Sequence, residues 1–137
     1  MKVELTRLRI KPGKSSRVDE WLKMINERID EAVATLDREG MKLEVIFREL
    51  IGEHEYLNWF TIQDETGEPI ETSPFDLDRE HREFGEECID HDHGGYESQP
   101  QVIILPPQVA AAMKWREPST STVKYEQREI VRKRDDD

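Results

Sequence analysis

Cysteine occurs once in the 137 residues, at Cys88. No disulfide can close within the chain, and a reducing compartment, the cytoplasm, is the expected location. No stretch approaches the roughly 20 consecutive apolar residues of a membrane-crossing helix. The opening run MKVELTRLRIKPGK interleaves charge with apolar residues, where a secretory leader would carry an unbroken apolar core. Basic residues are in deficit: 20 Lys and Arg against 31 Asp and Glu leave a net charge of −11. Those bases are scattered among acids, so neither nucleic acid nor an anionic membrane is expected as a partner. Surplus acid serves solubility, and a high-salt cytoplasm is a second explanation for it. No nucleophile elbow, phosphate-binding glycine loop or CxxC pair is present, and no cofactor is expected.

What the chain does have is periodicity. Charged residues make up 37% and hydrophobic ones 35%, the polar end of folded proteins, and the length fits one domain. Residues 2–10 (KVELTRLRI) alternate as a strand. Lys11–Pro12–Gly13–Lys14 breaks it, and Ser15 or Ser16 then caps a helix expected to run to about Glu39. Val18, Trp21, Leu22, Ile25, Ile29, Ala32, Val33 and Leu36 form its apolar stripe. Gly40 is its stop.

Residues 42–50 (KLEVIFREL) and 56–63 (YLNWFTIQ) follow as a hairpin turning through 51–55, where Gly52 supplies a permissive backbone. Val45, Ile46 and Phe47 are consecutive, as are Trp59 and Phe60, so both faces of the hairpin carry apolar bulk. Ser73, Pro74 and Asp76 announce a second helix, with Leu77, His81, Phe84 and Cys88 on one face. Residues 90–100 read as a loop on the strength of Gly94, Gly95 and Pro100. Residues 101–105 (QVIIL) read as a short buried strand, ended by Pro106 and Pro107. One or two helical turns are expected over 108–115 and an extra strand or helix over 123–131, with a solvated, mobile end at 132–137.

Strand–helix–strand–strand–helix–strand is the ferredoxin-like split βαβ plan. The expected class is therefore α+β, βαββαβ with an antiparallel sheet, over residues 1–106, with a C-terminal extension at 107–137. Right-handed crossovers set both helices on one face. A second copy of the chain is the simplest cover for the other, giving a homodimeric α/β barrel.

The segments LTRLRIKPGK at 5–14, RVDEWLKMINER at 17–28 and LEVIFRELIGEHEYLNWFTIQD at 43–64 resemble the dimeric α/β-barrel superfamily. That superfamily includes antibiotic-biosynthesis-monooxygenase-like and stress-responsive barrel proteins, and the chain looks most like a small bacterial and archaeal group within it. The resemblance covers about the first half of the chain and implies fold more than function. It leaves open oxidation of aromatic compounds without a cofactor, haem degradation and no activity.

Three chemistries have candidate residues. Trp21, Tyr56, Asn58, Trp59 and His81 are candidates to line a pocket for a small apolar or aromatic molecule, against ordinary core and dimer interface. In a monooxygenase-like enzyme, His81 and Asn58 are the catalytic candidates, polarising a substrate walled by Trp21 and Trp59. The plainer alternatives are a satisfied histidine at the core edge and an amide bonded to the backbone. His91 and His93 would point the same way from an extended segment and hold one metal ion, with Cys88 or Asp90 adding a ligand. No second distant ligand pair accompanies them, and a solvated loop is the competing reading. Cys88 reads as a small core residue, and Glu86–Glu87 as a solvated face.

Overall fold

The structure, a computed structural model, describes residues 1–117 and the backbone of 128–129. The elements are β1 (Lys2–Arg9), α1 (Ser15–Glu27), α2 (Ile29–Glu39), β2 (Met41–Ile51), β3 (His54–Gln63), α3 (Asp76–Cys88), β4 (Gly95–Ser98), α4 (Pro107–Met113) and β5 (Arg128–Glu129). The strands form one sheet in the order β2-β3-β1-β4-β5, and every pairing is antiparallel. The protein is α+β, as its periodicity requires. The element expected at 123–131 and the mobile end at 132–137 otherwise lie outside the described residues.

The hairpin forms as read. Ile51 pairs with His54 across a two-residue turn, and Gly52, at φ 61°, takes the first turn position, which glycine fills without a Cβ penalty. The alternation then sorts side chains by layer. Leu8, Ile46, Leu57 and Trp59 face α1 and α3, where Ile10, Val18, Trp21, Leu57, Cys88 and Ile89 form the buried core. The opposite face carries Leu5, Phe47, Tyr56, Asn58 and Phe60, matched in register as Leu5 with Phe60 and Phe47 with Asn58. Leu5, Leu43 and Phe47 are 39, 38 and 54% exposed there.

Three expectations are corrected. The fourth strand is Gly95–Ser98, inside the segment read as a loop, whereas 101–105 has no regular structure and Val102 and Ile104 are largely exposed. The register explains it. Asp90 N donates to Arg9 O at 2.8 Å and Ile89 bridges Ile10, so the chain leaves α3 already beside β1. Leu8 then pairs with Gly95 and Leu5 with Ser98. Continued, that register brings Pro100 opposite Val3, and proline has no N–H to give the ladder.

The long helix is two helices, interrupted at Arg28 (φ −113°, ψ 38°). Arg28 N still bonds Met24 O and Ala32 N bonds Arg28 O, so the interruption is a bend. It rotates the stripe: Ile29 and Val33, expected inside, are 51 and 52% exposed. The Arg28 side chain bonds Glu31 of α2 and Glu80 of α3, tying the bend to the facing helix.

Neither serine caps its helix. Ser15 is the first residue of α1, and its Oγ and carbonyl accept from Arg48. Ser73 Oγ accepts from Phe75 N, and α3 begins only at Asp76.

Candidate functional site

A cavity of about 270 Å³ lies between the helices and the β2 edge of the sheet. Leu22, Ile25 and Leu36 line it from α1 and α2, and Ile46 closes it from the sheet. Its ionisable groups come from two elements, beside the neutral Asn26 of α1 and Thr35 of α2. Glu44 stands two residues before Ile46 on β2, hence on the same face. Asp78 and His81 stand three apart on α3, hence on one helix face. All three line the cavity.

Two indoles organise these groups. Trp21 Nε1 donates to His81 Nδ1 at 2.9 Å, and Trp59 Nε1 donates to Glu44 Oε1 at 2.8 Å. The rings form one cluster, with Trp21 and Trp59 each 5.3 Å from His81 and 5.7 Å from one another. Because Nδ1 accepts, the neutral imidazole carries its proton on Nε2. Burial pushes the His81 pKa down, opposed by Asp78, so the ring is neutral at pH 7 and Nε2–H is a donor. Burial pushes Glu44 up, with the Trp59 N–H opposing and Asp78 reinforcing.

Glu39, at the end of α2, extends the acidic group. Burial first, then the charges of Asp78, Glu44 and Glu71, push its pKa up to about 7 against the pull of Arg38. The native state therefore holds a proton that the unfolded chain releases near pH 4.5. Stability from this group is full below pH 4.5 and is lost as pH rises to about 7. Glu39→Gln is expected to flatten that fall and to be more stable than wild type at pH 8. Urea midpoints of both proteins from pH 4 to 8 check this, and parallel curves would refute it.

The sequence candidates divide between the two sides of the sheet. Trp21, Trp59 and His81 are brought together on the helical side. Tyr56 and Asn58 lie on the other, since Asn58 and Trp59 are neighbours in a strand. Asn58 finds its partners there: its amide donates to Glu49 Oε1 at 2.8 Å and accepts from Arg7 Nε at 3.2 Å. Tyr56 lies under the Arg7 guanidinium, 5.6 Å from ring centroid to Cζ. His81 and Asn58 therefore do not act on one substrate within a chain, and the oxygenase pairing loses its geometry.

His91 and His93 diverge. Residues 91–93 form a turn, not the extended segment that would align them. His91 Nε2 lies 3.3 Å from Gly85 O and 3.9 Å from Glu86. His93 Nδ1 lies 3.0 Å from Arg9, between the rings of Tyr56 and Tyr96. Cys88 is fully buried in the core, which pushes its thiol pKa up, and Asp90 Oδ1 accepts from His93 N. Among the described residues no group of three His, Cys, Asp or Glu could hold a metal ion.

Glu39, Glu44 and Asp78 were not singled out by the sequence reading. The available signal was an acid at a core-facing strand position, Glu44 before Ile46, and an acid three residues before His81 on its apolar face. No helix among the described residues is long and apolar enough to cross a membrane.

No curated protein and no solved structure matches this chain. One family model matches residues 1–111, most of the chain and all of β1 to β4 with the cleft they support. The chain therefore belongs to the family described as a family of unknown function, DUF6176.

Proposed function

We propose that this chain is a homodimeric small-molecule-binding protein that takes an apolar or aromatic ligand in the cleft between helices and sheet. The cavity carries the reading: about 270 Å³, just under the ~300 Å³ lower bound of ordinary ligand pockets, with apolar walls and a few convergent polar groups. Indole is expected to raise the thermal midpoint of the wild type with concentration. Ala32→Phe, which projects a ring into the cavity, is expected to abolish that rise. An equal rise in both proteins would remove the reading.

The assembly reading rests on the sheet face opposite the helices, where Leu5, Leu43 and Phe47 are partly exposed among the described residues. The order β2-β3-β1-β4 with helices crossing one side fits a ferredoxin-like protomer, and such a protomer leaves its other side for a partner. Phe47, Leu5 and Leu43 supply apolar area there. The Arg7–Glu49 pair, 2.7 Å apart beside Asn58, gives both signs of charge to a patch that meets its own copy across a two-fold axis. Together these features support a dimeric α/β barrel. Phe47→Asp is expected to shift sedimentation from dimer to monomer with an unchanged circular-dichroism spectrum. Unchanged association would contradict the dimer. Trp59 belongs to the core, so a charge there tests folding instead.

A further inference from the structure

We infer that the cleft ligand is an organic cation, a small amine on an apolar or aromatic body, with its ammonium held by Asp78 and Glu44. This rests on the cleft reading above and adds the ligand's charge.

The cavity is short of positive charge. Asp78 is only 5% exposed, it lines the cavity, and its carboxylate has no hydrogen-bond or ion-pair partner among the described residues. Glu44 lines the same space with one bond, from the Trp59 indole. No lysine or arginine lines the cavity. The cations on neighbouring helical positions are already engaged: Arg28 by Glu31 and Glu80, and Arg38 by Glu68 and the carbonyls of Pro69 and Thr72. A mostly enclosed carboxylate that lacks a countercharge is poorly stabilised, so the site favours a ligand that brings the missing charge.

Three alternatives fit less well. A compact metal ion needs several ligands converging on one point, and no three such groups converge among the described residues. An anionic ligand would add negative charge beside Asp78, Glu44 and Glu39. A neutral ligand would leave the charge of Asp78 uncompensated. An ammonium has three donors and no acceptor, so it matches two acid side chains, while Leu22, Ile25, Leu36 and Ile46 take the apolar body. The neutral His81 brings no positive charge to repel the cation.

Calorimetric titration of the full chain with three molecules of one shape tests this: 2-phenylethylamine, 2-phenylethanol and phenylacetate, at pH 7.5 and at two salt concentrations. The amine is expected to bind about tenfold tighter than the alcohol, the margin of one charge-assisted hydrogen bond, with phenylacetate the weakest. Asp78→Asn and Glu44→Gln are each expected to bring the amine-to-alcohol ratio towards one while leaving alcohol binding in place. Alcohol binding as tight as amine binding in the wild type overturns the cation assignment and leaves the cleft reading standing. Binding by none of the three overturns both. An amine preference that survives both acid substitutions, or survives Ala32→Phe, assigns the amine to the acidic surface and overturns the inferred site.

Discussion

Trp21→Ala is expected to destabilise the protein by about 4 kcal/mol, the upper range for deleting a buried aromatic side chain. Trp21 is 2% exposed. It stacks on Phe84 with ring planes 1° apart at 6.1 Å and borders both Trp59 and His81. Its removal leaves a void where α1, α3 and the sheet meet, and it also strips His81 Nδ1 of its donor. Trp21→Phe separates the two losses. It keeps most of the bulk and removes only the N–H, so a cost of about 1 kcal/mol is expected. In that variant the His81 tautomer is no longer set, and its ring resonances should show both protonation patterns in neutral solution. Urea unfolding measures the stabilities. A loss below about 1 kcal/mol for Trp21→Ala would show that the site collapses around the gap and that Trp21 is not the keystone of this layer.

Gly67→Ala is expected to cost about 3 kcal/mol, near the upper end for forced overpacking. A Cβ at residue 67 would fall 1.6 Å from Glu39 O and 2.0 Å from Glu39 C. Those are backbone atoms, which have no rotamer to yield. The loop after β3 is strapped to the end of α2 at that point, through Asp64 N to Gly40 O at 2.7 Å and Glu68 N to Arg38 O at 3.0 Å. An alanine must push the strap off, and Glu39, whose carboxyl titrates near neutrality, moves with it. Gly13→Ala is the control. Gly13 has φ 82° but open space around its missing Cβ, so only the left-handed backbone penalty of about 1 kcal/mol applies. Equal costs for the two substitutions would show that the strap gives way easily, and that backbone conformation alone sets both values.

The candidate residues show where reading along the chain stops. Trp21, Trp59 and His81 are brought together because each lies on an apolar stripe or a strand face whose period is local, though of the three only His81 lines the cavity. Asn58 was grouped with them because it interrupts the same apolar run. One step along a strand reverses the side-chain direction, and that step placed it with Arg7 and Glu49 instead. The His91–His93 pairing failed for a similar reason. It presumed an extended backbone, and Asp90 N bonding to Arg9 O starts a turn there. The QVIIL segment has stronger strand composition than Gly95–Ser98, yet the latter pairs because β1 and the exit of α3 set the register before the chain reaches Pro100.

Alone, the amino-acid order determined the class, the two-sided hairpin, the apolar faces of α1 and α3 and the turn at Gly52. These follow from periods of 2 and 3.6 residues and from local backbone preferences, and both are short-range. Tertiary structure decided which strand borders β1, where the first helix bends, and that Glu44, Asp78 and His81 meet at one cleft with Glu39 near enough to feel their charge. Those outcomes depend on contacts between residues far apart in the chain. A carboxylate in a charge-rich sequence looks like any other until packing takes its water away.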